Sequence, residues 1–575
     1  MRESAGRALR RRRRAFAATA AGTCLLGAAQ LAAAGGALAA PAPAVTFRVT
    51  TTADAHDAHP GDGRCADAAG QCTLRAAIEE ADASAAGTDV TIVVPAGRYL
   101  LTLGTLTAGS SSAPVSITVQ GAGPGRTVVS AGNAFRVISV AAAATVALDG
   151  LAVTGGNAGP NGYGGGVLSS GTLTLAHAAV DGNRAGAGGG LDNSGGSLVV
   201  TGSRIENNNA RYFGGGGIQN GGPQNAPGSV LVVASTITGN ATTNEGGGIF
   251  SGQNGHPAAA GLAAAAPRPA CARARCAGQR IPAAAGLTLT VLDSNVSGNR
   301  GGNGGGGIAA QGTARVIGSV IDDNTAGGAP GGGLFNVGLV RDSTISGNRA
   351  STGGGAEAFP TLTMTITTST LDGNHAASYG GAIDASGNVT VSRSTLAGNI
   401  AGGRYLGAGA AVVLEGGALV QLSDSTLAGN STKPAGGGAI YNYGGLATLS
   451  FDTLSGNSGS ITGSGYSTAT GTILATGGLA ANCAVPLHET AGYNLADDRS
   501  CGLALPTDLV SADPDLGPLA PNGGPTETVA LLPGSPAIDA GGLASTSGCP
   551  PTDQRGESRP SGPACDIGAF ELHAH

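Results

Sequence analysis

Tryptophan is absent from this 575-residue sequence, which also contains only two methionines, 3% aromatic residues and 11% charged residues. Lys433 is its single lysine. Such a chain lacks the large apolar side chains and the charges of an ordinary helix-rich enzyme domain. It is rich instead in glycine, with 104 residues, and each glycine inside a helix costs about 1 kcal/mol relative to alanine. Strands and tight turns remain, and the length favours a repeat protein whose core grows by stacking.

The first 39 residues have the pattern of an export signal. Residues 10–14 are arginines, residues 15–34 are apolar and mostly small, and Ala37-Leu38-Ala39 matches a signal-peptidase site. The pair Arg13-Arg14 also fits a twin-arginine signal, so the Sec and Tat routes both stay open. A transmembrane anchor is the alternative, and it is disfavoured because glycine and alanine dominate the apolar segment. We predict a signal peptide over residues 1–39 and a protein that is secreted or held at the cell surface.

The net charge and the hydropathy of the chain bear on whether it binds nucleic acid or spans a membrane. Removal of residues 1–39 would take away seven arginines and one glutamate and move the formal net charge from -6 to -12. An acidic chain is a poor partner for nucleic acid, which favours a basic stripe. No later segment is apolar for long enough to span a bilayer. We expect no nucleic-acid partner, no membrane span in the mature chain and a monomeric protein.

A hydrophobic-x-x-Asn step recurs ten times, most often about every 25 residues. Most steps are followed by a glycine cluster and then by a short strand of alternating apolar and hydroxyl residues, such as residues 287–291. A coil of this length buries its apolar side only if further coils stack on it at about 4.8 Å. The sequence therefore predicts an all-β fold, a right-handed parallel β-helix. The asparagines that end the steps are Asn183, Asn208, Asn240, Asn299, Asn324, Asn348, Asn374, Asn399, Asn430 and Asn457.

These asparagines have two possible roles. Asparagine tolerates left-handed backbone geometry at a corner, and its amide can pair with the asparagine of the next coil. We therefore predict a structural ladder that holds the coils in register. The alternative is a row of ligand-binding amides, which would have to face outward. The glycine clusters lack the aspartate of calcium-binding nonapeptide repeats, so we expect no metal and no cofactor.

Eight cysteines follow the export signal, in four couples that are close in sequence. An even, clustered set in an exported chain predicts four short-loop disulfides. A metal site of four thiolates is the weaker alternative, because no C-x-x-C pair is present. The couples are Cys65/Cys72, Cys271/Cys276, Cys483/Cys501 and Cys549/Cys565.

Both ends of the repeat need caps, because an open β-helix exposes strand edges and core. Residues 73–83 form the best helical pattern of the mature chain, with Leu74 and Ile78 on one face and an i,i+4 pair of Arg75 with Glu79. We predict four parts: a signal peptide, an N-terminal cap, the coils with one insertion, and a C-terminal capping domain. Their bounds are 1–39, 45–110, 111–475 with the insertion 253–286, and 476–575.

The insertion at residues 253–286 accounts for the one interval of 59 residues between steps. It is rich in alanine, proline and arginine, which is typical of a disordered or disulfide-pinned loop. A basic arm that holds an anionic partner is the alternative. Its arginines are Arg268, Arg273, Arg275 and Arg280.

Three segments resemble known families. Residues 72–81, CTLRAAIEEA, are similar to the CSLREA segment that opens many bacterial β-helix proteins, with threonine and alanine in place of serine and glutamate. The runs DPDLGPL, LPGSPAIDAG, DQRG and CDIGAFE of residues 513–571 resemble the choice-of-anchor Q domain. The element GGAI at residues 380–383 and 437–440 resembles the repeats of chlamydial polymorphic outer-membrane proteins, which are surface adhesins. These resemblances imply a β-helix of the pectate-lyase superfold at a bacterial surface, and no activity.

Candidate catalytic residues are few. A pectate-type lyase needs calcium-binding carboxylates and a basic residue, and a polygalacturonase-type glycosidase needs several aspartates on adjacent coils. Asp322-Asp323 is the only adjacent aspartate pair within the coils, and we interpret it as a solvated corner. We therefore predict no catalytic residue. Our hypothesis is a secreted, non-catalytic β-helix that binds polysaccharide or a cell-surface glycan; a polysaccharide lyase or glycoside hydrolase, and a structural spacer of the envelope, are the alternatives.

Overall fold

A computed structural model describes residues 44–109, 116–221, 228–252, 286–360, 362–402, 409–433, 437–478, 480–543, 545 and 548–573. The predicted signal peptide, Cys271, Cys276 and the arginines of the insertion lie outside the described residues. The described chain winds through four parallel sheets, which we name A to D, and each full coil adds one strand to each sheet in the order C, A, B, D. The fold is a right-handed parallel β-helix, which confirms the fold class predicted from the repeat.

Sheet A has 16 described strands, and most have five residues in which the second and fourth side chains face the core. The strands of sheet A are Ala44–Arg48, Asp89–Val93, Ser116–Gln120, Thr145–Asp149, Thr172–Ala176, Ser197–Thr201, Ser229–Val233, Thr288–Leu292, Thr313–Ile317, Leu339–Arg341, Thr363–Thr367, Asn388–Ser392, Leu419–Ser423, Leu446–Ser450, Tyr466–Thr470 and Glu489–Thr490.

Sheet B also has 16 described strands, and the ladder asparagines follow most of them. The strands of sheet B are Gly97–Leu100, Thr127–Ser130, Ala152–Thr154, Ala179–Asp181, Arg204–Glu206, Thr236–Thr238, Asn295–Ser297, Val320–Asp322, Thr344–Ser346, Thr370–Asp372, Thr395–Ala397, Thr426–Ala428, Thr453–Ser455, Ile473–Ala475, Leu495–Ala496 and Leu509–Val510.

Sheets C and D form the remaining sides, and sheets A and B continue past residue 475. The strands of sheet C are Leu106–Ala108, Ile138–Val140, Val167–Ser169, Leu191–Asn193, Ile218–Asn220, Ile249–Ser251, Ile308–Ala310, Leu334–Phe335, Ala356–Ala358, Ile383–Ala385, Val412–Leu414, Ile440–Asn442 and Ile461–Gly463. The strands of sheet D are Arg184–Ala185, Asn209–Ala210, Ala241–Thr242, Arg300–Gly301, Thr325–Ala326, Arg349–Thr352, His375–Tyr379, Ile400–Gly402 and Ser431–Lys433.

The ten asparagines of the repeat form a continuous ladder inside the rod. The Nδ2 of Asn324 donates to the Oδ1 of Asn348 at 3.0 Å, and the Nδ2 of Asn348 donates to the Oδ1 of Asn374 at 3.0 Å. The same pattern joins every neighbouring pair from Asn183 to Asn457. Each amide is at most 1% exposed. Inward-facing amides that bond to each other hold the coils in register and leave nothing for a ligand.

The left-handed residue of this corner lies one position earlier than we expected. The residue before each ladder asparagine has positive φ, for example Gly347 at 64° and Asp323 at 52°. The ladder asparagine itself does not have a positive φ, because its side chain must point inward to reach the next coil. Asp323 therefore occupies an exposed corner position that glycine fills in most other coils.

The N-terminal helix Leu74–Asp82 covers the first coils, as the pattern predicts. Thr73 caps it, because its side chain accepts a hydrogen bond from the Ala76 amide at 3.0 Å. The predicted pair of Arg75 with Glu79 is wrong: Arg75 bonds to Asp54, at 2.7 Å from Nε to Oδ1. Arg75 faces the rod and is 5% exposed, whereas an i,i+4 pair requires both side chains on the solvent side of the helix.

The segment of residues 511–573, which we call the C-terminal segment, folds back onto the outer face of sheet B. It contains the antiparallel strands Leu516–Ala520 and Thr528–Leu531. Thr395, Thr426 and Thr453 hold equivalent outward positions on sheet B, and all are at most 1% exposed. The side chain of Gln554 bonds to Thr395 and Thr426 at 2.9 and 2.6 Å. The DQRG run of this segment therefore has a structural task, which is to dock onto the rod.

Three disulfides join described cysteines. The bonded pairs are Cys65–Cys72, Cys483–Cys501 and Cys549–Cys565.

No described helix has the length and apolarity needed to cross a membrane.

Candidate functional site: a groove along sheet C

The middle residue of each sheet C strand points away from the core. The first residues of these strands, such as Ile308 and Ile383, belong to the main core, whereas Phe250, Ala309 and Phe335 form a separate apolar cluster outside it. Parallel pairing in register places the middle residues in one column, which we call the floor. The floor consists of Asp192, Gln219, Phe250, Ala309, Phe335, Glu357, Asp384, Val413 and Tyr441.

Glycine is required where the chain turns from sheet D into sheet C. A Cβ on Gly353, whose φ is +56°, would lie 2.8 Å from the Oε2 of Glu357 and 2.4 Å from a backbone carbonyl oxygen. The chain before this glycine forms a wall beside the floor, on which Thr352 pairs with Tyr379 of the next coil. The glycine clusters thus let the wall approach the floor side chains closely.

The opposite side of the groove is formed by the residues that follow the sheet C strands, which we call the rim. Backbone hydrogen bonds align them from coil to coil: the Ser386 amide donates to the Ala358 carbonyl at 3.0 Å, and the Glu415 amide to the Ala385 carbonyl at 2.9 Å. Tyr443 follows in the same way on the next coil. Ser386 and Glu415 are half-buried and Tyr443 is 45% exposed, so the rim, and not the floor carboxylates, is the part that solvent reaches.

Two floor carboxylates lie side by side. Glu357 and Asp384 are paired in register on adjacent strands, which are about 4.8 Å apart in a sheet. They are 5% and 2% exposed. Thr352 Oγ1 donates to the Oε2 of Glu357 at 3.3 Å, whereas the Oδ1 of Asp384 is buried without a hydrogen-bond partner. Glu415 adds a third carboxylate at the rim, where its Oε2 accepts from Ser386 Oγ at 2.9 Å. We call these three the groove cluster.

The groove cluster is short of positive charge. No described lysine, arginine or histidine lies within 4 Å of its carboxylates. Burial raises the pKa of Glu357 well above its usual range, and the charges of Asp384 and Glu415 raise it further, against the hydrogen bond from Thr352. Burial and the charge of Glu415 raise the pKa of Asp384 as well, against the hydrogen-bonding effect of Thr352. Two buried carboxylates this close cannot both ionise readily, so the pair retains a proton near neutral pH.

Aromatic side chains flank the groove cluster. The rings of Tyr441 and Tyr443 are stacked, with centroids 6.3 Å apart and an interplanar angle of 17°. Phe359 lies on the rim beside Ser386, and Tyr379 lies on the wall. Four aromatic residues therefore lie on the coils of the groove cluster and on the coil of Tyr441, in a chain that has only nine tyrosines and nine phenylalanines.

The N-terminal half of the groove satisfies its side chains only in part, because the Oδ2 of Asp192 and the Oε1 of Gln219 are buried without a hydrogen-bond partner. Gln219 donates to the Gly221 and Gly252 carbonyl oxygens at 3.0 and 3.1 Å, and Phe250 and Phe335 pack with Ala309 between them. Asp192 accepts a hydrogen bond from Ser194, and burial raises its pKa to about 7, against the hydrogen bond from Ser194 and the charge of Arg136.

An open cleft of about 420 Å³ lies near that end, lined by Thr105, Phe135, Arg136 and Asn157 among others. Arg136 and Asn157 already bond to backbone groups, to the Tyr163 and Asn133 carbonyl oxygens respectively. Thr105 likewise donates to the Arg136 carbonyl oxygen, so these polar side chains of the cleft are engaged with backbone groups.

The residues that we singled out from the sequence do not meet in the groove. The ladder asparagines are inside the rod, and Asp322 and Asp323 lie at the end of sheet B, where Asp322 accepts from Ser346 Oγ at 3.2 Å. Aligning the sequence repeats on their asparagines did not reveal the groove cluster. Alignment on the positive-φ glycines finds it, because Glu357 and Asp384 each lie four residues after such a glycine, Gly353 and Gly380. Among the described residues, no group of three histidine, cysteine, aspartate or glutamate side chains is arranged to hold a metal ion.

Residues 283–458 match the family model described as the right handed beta helix region. No protein among the curated sequences matches this chain. A crystal structure of pectate lyase Pel9A aligns over 92% of this chain and 97% of its own, with 14% sequence identity and a TM-score of 0.23. The family match extends over the coils that carry the groove cluster. The chain is a repeat protein with the right-handed parallel β-helix fold.

Proposed function

We propose that the protein binds a carbohydrate in the C-terminal half of the groove, beside the groove cluster. The stacked pair Tyr441 and Tyr443 carries this proposal. Aromatic faces pack against the C–H faces of sugar rings, and carboxylates that lack cationic partners accept hydrogen bonds from sugar hydroxyls. Both features meet within the coils around residues 356–443.

The charge of the groove favours a neutral glycan. The nearest described charges are Glu357, Asp384 and Glu415, all acidic. A polyuronate would bring further negative charge to a buried acidic site, which costs free energy without a compensating cation. We therefore infer a neutral polysaccharide or cell-surface glycan as the ligand.

The setting that we propose is a bacterial protein secreted or held at the cell surface, in the four parts predicted from the sequence. Disulfides persist in oxidising compartments, and three described disulfides support export. The CSLREA-like residues have defined tasks, since Cys72 is disulfide-bonded, Thr73 caps the helix and Glu80 accepts the Gly61 and Gly63 amides at 2.6 Å. Such tasks support the proposal that this segment and the choice-of-anchor-Q-like segment are caps of an adhesin-like, monomeric rod.

A glycan array with the purified protein tests binding. We expect retention of neutral glycans, and loss of at least tenfold in affinity for Tyr443→Ala because a stacking face is removed. The matched control is Tyr212→Ala: Tyr212 is 44% exposed, against 45% for Tyr443, and packs against Arg211 away from the groove cluster. Equal loss in both variants, or unchanged binding by Tyr443→Ala, would contradict the proposal. Absence of any retained glycan would favour the envelope spacer.

A further inference from the structure

We propose that Tyr443, Leu446, Tyr466 and His488 form one exposed binding platform for an unbranched β-1,4-linked glycan whose pyranose rings carry equatorial hydroxyl groups. We call these residues the terminal platform. The inference rests on the proposed function, because Tyr443 belongs to both, and it adds the class of glycan and the path of the chain. The platform lies where the rim of the groove passes into the outer face of sheet A.

The first position of the sheet A strands changes character in the last coils. The five-residue strands from Asp89 to Asn388 all begin with aspartate, serine, threonine or asparagine. The next strands begin with Leu419, Leu446 and Tyr466, which are paired in register. Leu446 and Tyr466 are 40% and 44% exposed. A cluster of exposed apolar residues at positions that are otherwise polar indicates a contact made outside the fold.

Backbone pairing places this column beside Tyr443. The Tyr466 amide donates to the carbonyl oxygen of Gly445 at 3.0 Å, and Gly445 follows Tyr443 by two residues. Leu446 is next in the chain and is paired with Tyr466. His488 is exposed on the following coil, where its ring centroid lies 4.7 Å from that of Tyr466. The platform therefore extends over three coils, about 10 Å along the rod.

Contacts within the protein fix the rings of Tyr466 and His488. The Tyr466 hydroxyl donates to the Oε2 of Glu489 at 3.1 Å. The Nδ1 of His488 accepts a hydrogen bond from the Ser467 amide at 3.3 Å, and its ring is tilted by 36° to that of Tyr466. Side chains that are already held in place lose little conformational entropy on binding, which favours affinity.

The platform suits the face of a flat sugar chain. Equatorial hydroxyl groups leave C–H groups on both faces of a pyranose ring, and aromatic rings pack against such faces. An axial hydroxyl stands on the face and would hold the sugar away from Tyr466. Thr448 and Thr468 are paired on the same outer face, two residues after Leu446 and Tyr466, which is about 7 Å along the strand. Their hydroxyls provide hydrogen bonds for the edge of the chain.

The size and the charge of the platform argue against other occupants. A stable protein–protein interface involves roughly 20–30 residues on each partner, far more than the terminal platform contains. An anionic lipid surface attracts lysine and arginine, whereas Glu415 on the rim and the exposed Glu489 bring negative charge to the platform. These carboxylates disfavour an acidic polysaccharide and accept hydrogen bonds from the hydroxyls of a neutral one.

Isothermal titration calorimetry with two series of oligosaccharides, from disaccharide to hexasaccharide, tests the ligand class. The series are cello-oligosaccharides and β-1,4-galacto-oligosaccharides, which differ only in the configuration at C4, equatorial in the first and axial in the second. We expect the affinity for cello-oligosaccharides to rise with chain length, because a longer chain reaches more of the platform. The cello-hexasaccharide should bind at least tenfold more tightly than the galacto-hexasaccharide.

Tyr466→Thr tests the extension of the binding site beyond Tyr443. This variant should fold, because other coils carry threonine at the same position, for example Thr172 and Thr363. We expect a loss of about tenfold in affinity for the cello-hexasaccharide, whereas Tyr466→Phe keeps the ring and should bind as the unmodified protein does. The matched control is Tyr212→Thr, because Tyr212 is also 44% exposed and lies on a distant coil.

The possible failures are distinguishable. Loss of binding in Tyr443→Ala but not in Tyr466→Thr would overturn the terminal platform and leave the proposed function standing. Equal affinity for the two series, or retention of array glycans without binding of either series, would overturn the glycan class. Equal losses in Tyr466→Thr and Tyr212→Thr, or a dimer in sedimentation that Tyr466→Thr dissociates, would overturn the platform as a glycan site. Absence of binding both in the titrations and on the array would overturn both proposals.

Discussion

Two groups of buried carboxylates lie on the same rod, and they differ in how their charges are compensated. One is the groove cluster, Glu357, Asp384 and Glu415, on the outer face of sheet C. The other lies between sheet B and the C-terminal segment, and we call it the docking cluster. Its members are Asp424, Asp452, Asp553, Asp566 and Glu571, each at most 8% exposed.

The docking cluster is built around two arginines and many backbone amides. Arg555 bonds to Asp553 at 2.8 Å, and Arg559, whose side chain is fully buried, lies 3.6 Å from Glu571 and 3.9 Å from Asp424. The two arginines also stack over the rings of Phe570 and Phe451. The amides of Ser425 and Ser450 donate to Asp452 at 2.8 and 2.9 Å.

The groove cluster has a single hydroxyl donor for each of two carboxylates, Thr352 for Glu357 and Ser386 for Glu415, and an unpartnered oxygen on Asp384. Burying a carboxylate is costly unless cations and donors compensate it. The docking cluster meets this condition in part: Arg555 and Arg559 supply cations, although burial still raises the pKa of Asp424 to about 7 and that of Asp566 to about 6. No described cation lies beside the groove cluster, which makes it the stronger candidate for a task outside the fold itself.

The largest effect on stability is expected from a variant that disrupts the docking cluster. Arg559→Met removes the cation that lies between Asp424 and Glu571, and leaves their buried charges uncompensated. We expect the free energy of unfolding at pH 7 to fall by about 3–5 kcal/mol, the usual cost of removing one partner of a buried pair. Denaturant unfolding followed by circular dichroism measures it.

The control for that variant is Arg341→Met, because Arg341 is half-exposed and pairs with exposed Asp342 at 3.3 Å. Exposed pairs contribute about 0–1 kcal/mol, so this change should be small. An Arg559→Met protein as stable as Arg341→Met would remove the distinction between compensated and uncompensated carboxylates.

An intermediate effect is expected in the pH dependence of stability. The pKa values of Glu357 and Asp384 are raised in the folded state by burial first and then by neighbouring carboxylates, so the unfolded chain releases these protons at lower pH. Their stabilising contribution is complete below pH 4 and is lost as the pH rises toward the folded pKa values.

The double variant Glu357→Gln/Asp384→Asn cannot ionise at these positions. We therefore expect its free energy of unfolding, relative to the unmodified protein, to rise between pH 4 and pH 8. Asp323→Asn, at an exposed corner away from the groove, is the control. A flat difference for the double variant would mean that the groove carboxylates are as well compensated as the docking cluster.

The fold was predictable from the sequence because every coil repeats the same local solution. The asparagine step marks the corner where an amide must turn inward, and the glycine cluster marks the turn from sheet D to sheet C, so both are visible without a structure. The helix over residues 74–82 was predictable because its apolar residues recur at helical spacing. The partner of Arg75 was not predictable in this way. That partner, Asp54, is 21 residues earlier and depends on how the helix lies on the first coils.

The groove cluster was not predictable from the asparagine repeat because its members belong to a different phase of the coil. Glu357 and Asp384 are 27 residues apart, and only the sheet C register makes them neighbours. A second periodic feature was missed in the same way. Serines that lie two residues after sheet A strands form their own ladder, in which the Ser343 amide donates to Ser369 Oγ at 3.2 Å and the Ser369 amide to Ser394 Oγ at 3.1 Å.

The smallest expected effect concerns one hydroxyl. Thr352→Val removes the donor to Glu357 with little change in shape, and because that hydrogen bond favours the ionised carboxylate, its loss raises the folded pKa of Glu357 further. We expect a loss of about 0.5–1 kcal/mol in the free energy of unfolding at pH 8, the usual worth of a single hydrogen bond, and a smaller loss at pH 4. Thr390→Val, on the outer face of sheet A, should change stability equally at both pH values. If Thr352→Val also behaves in this way, the hydroxyl does not support an ionised Glu357, and the groove pair shares its proton without help from the wall.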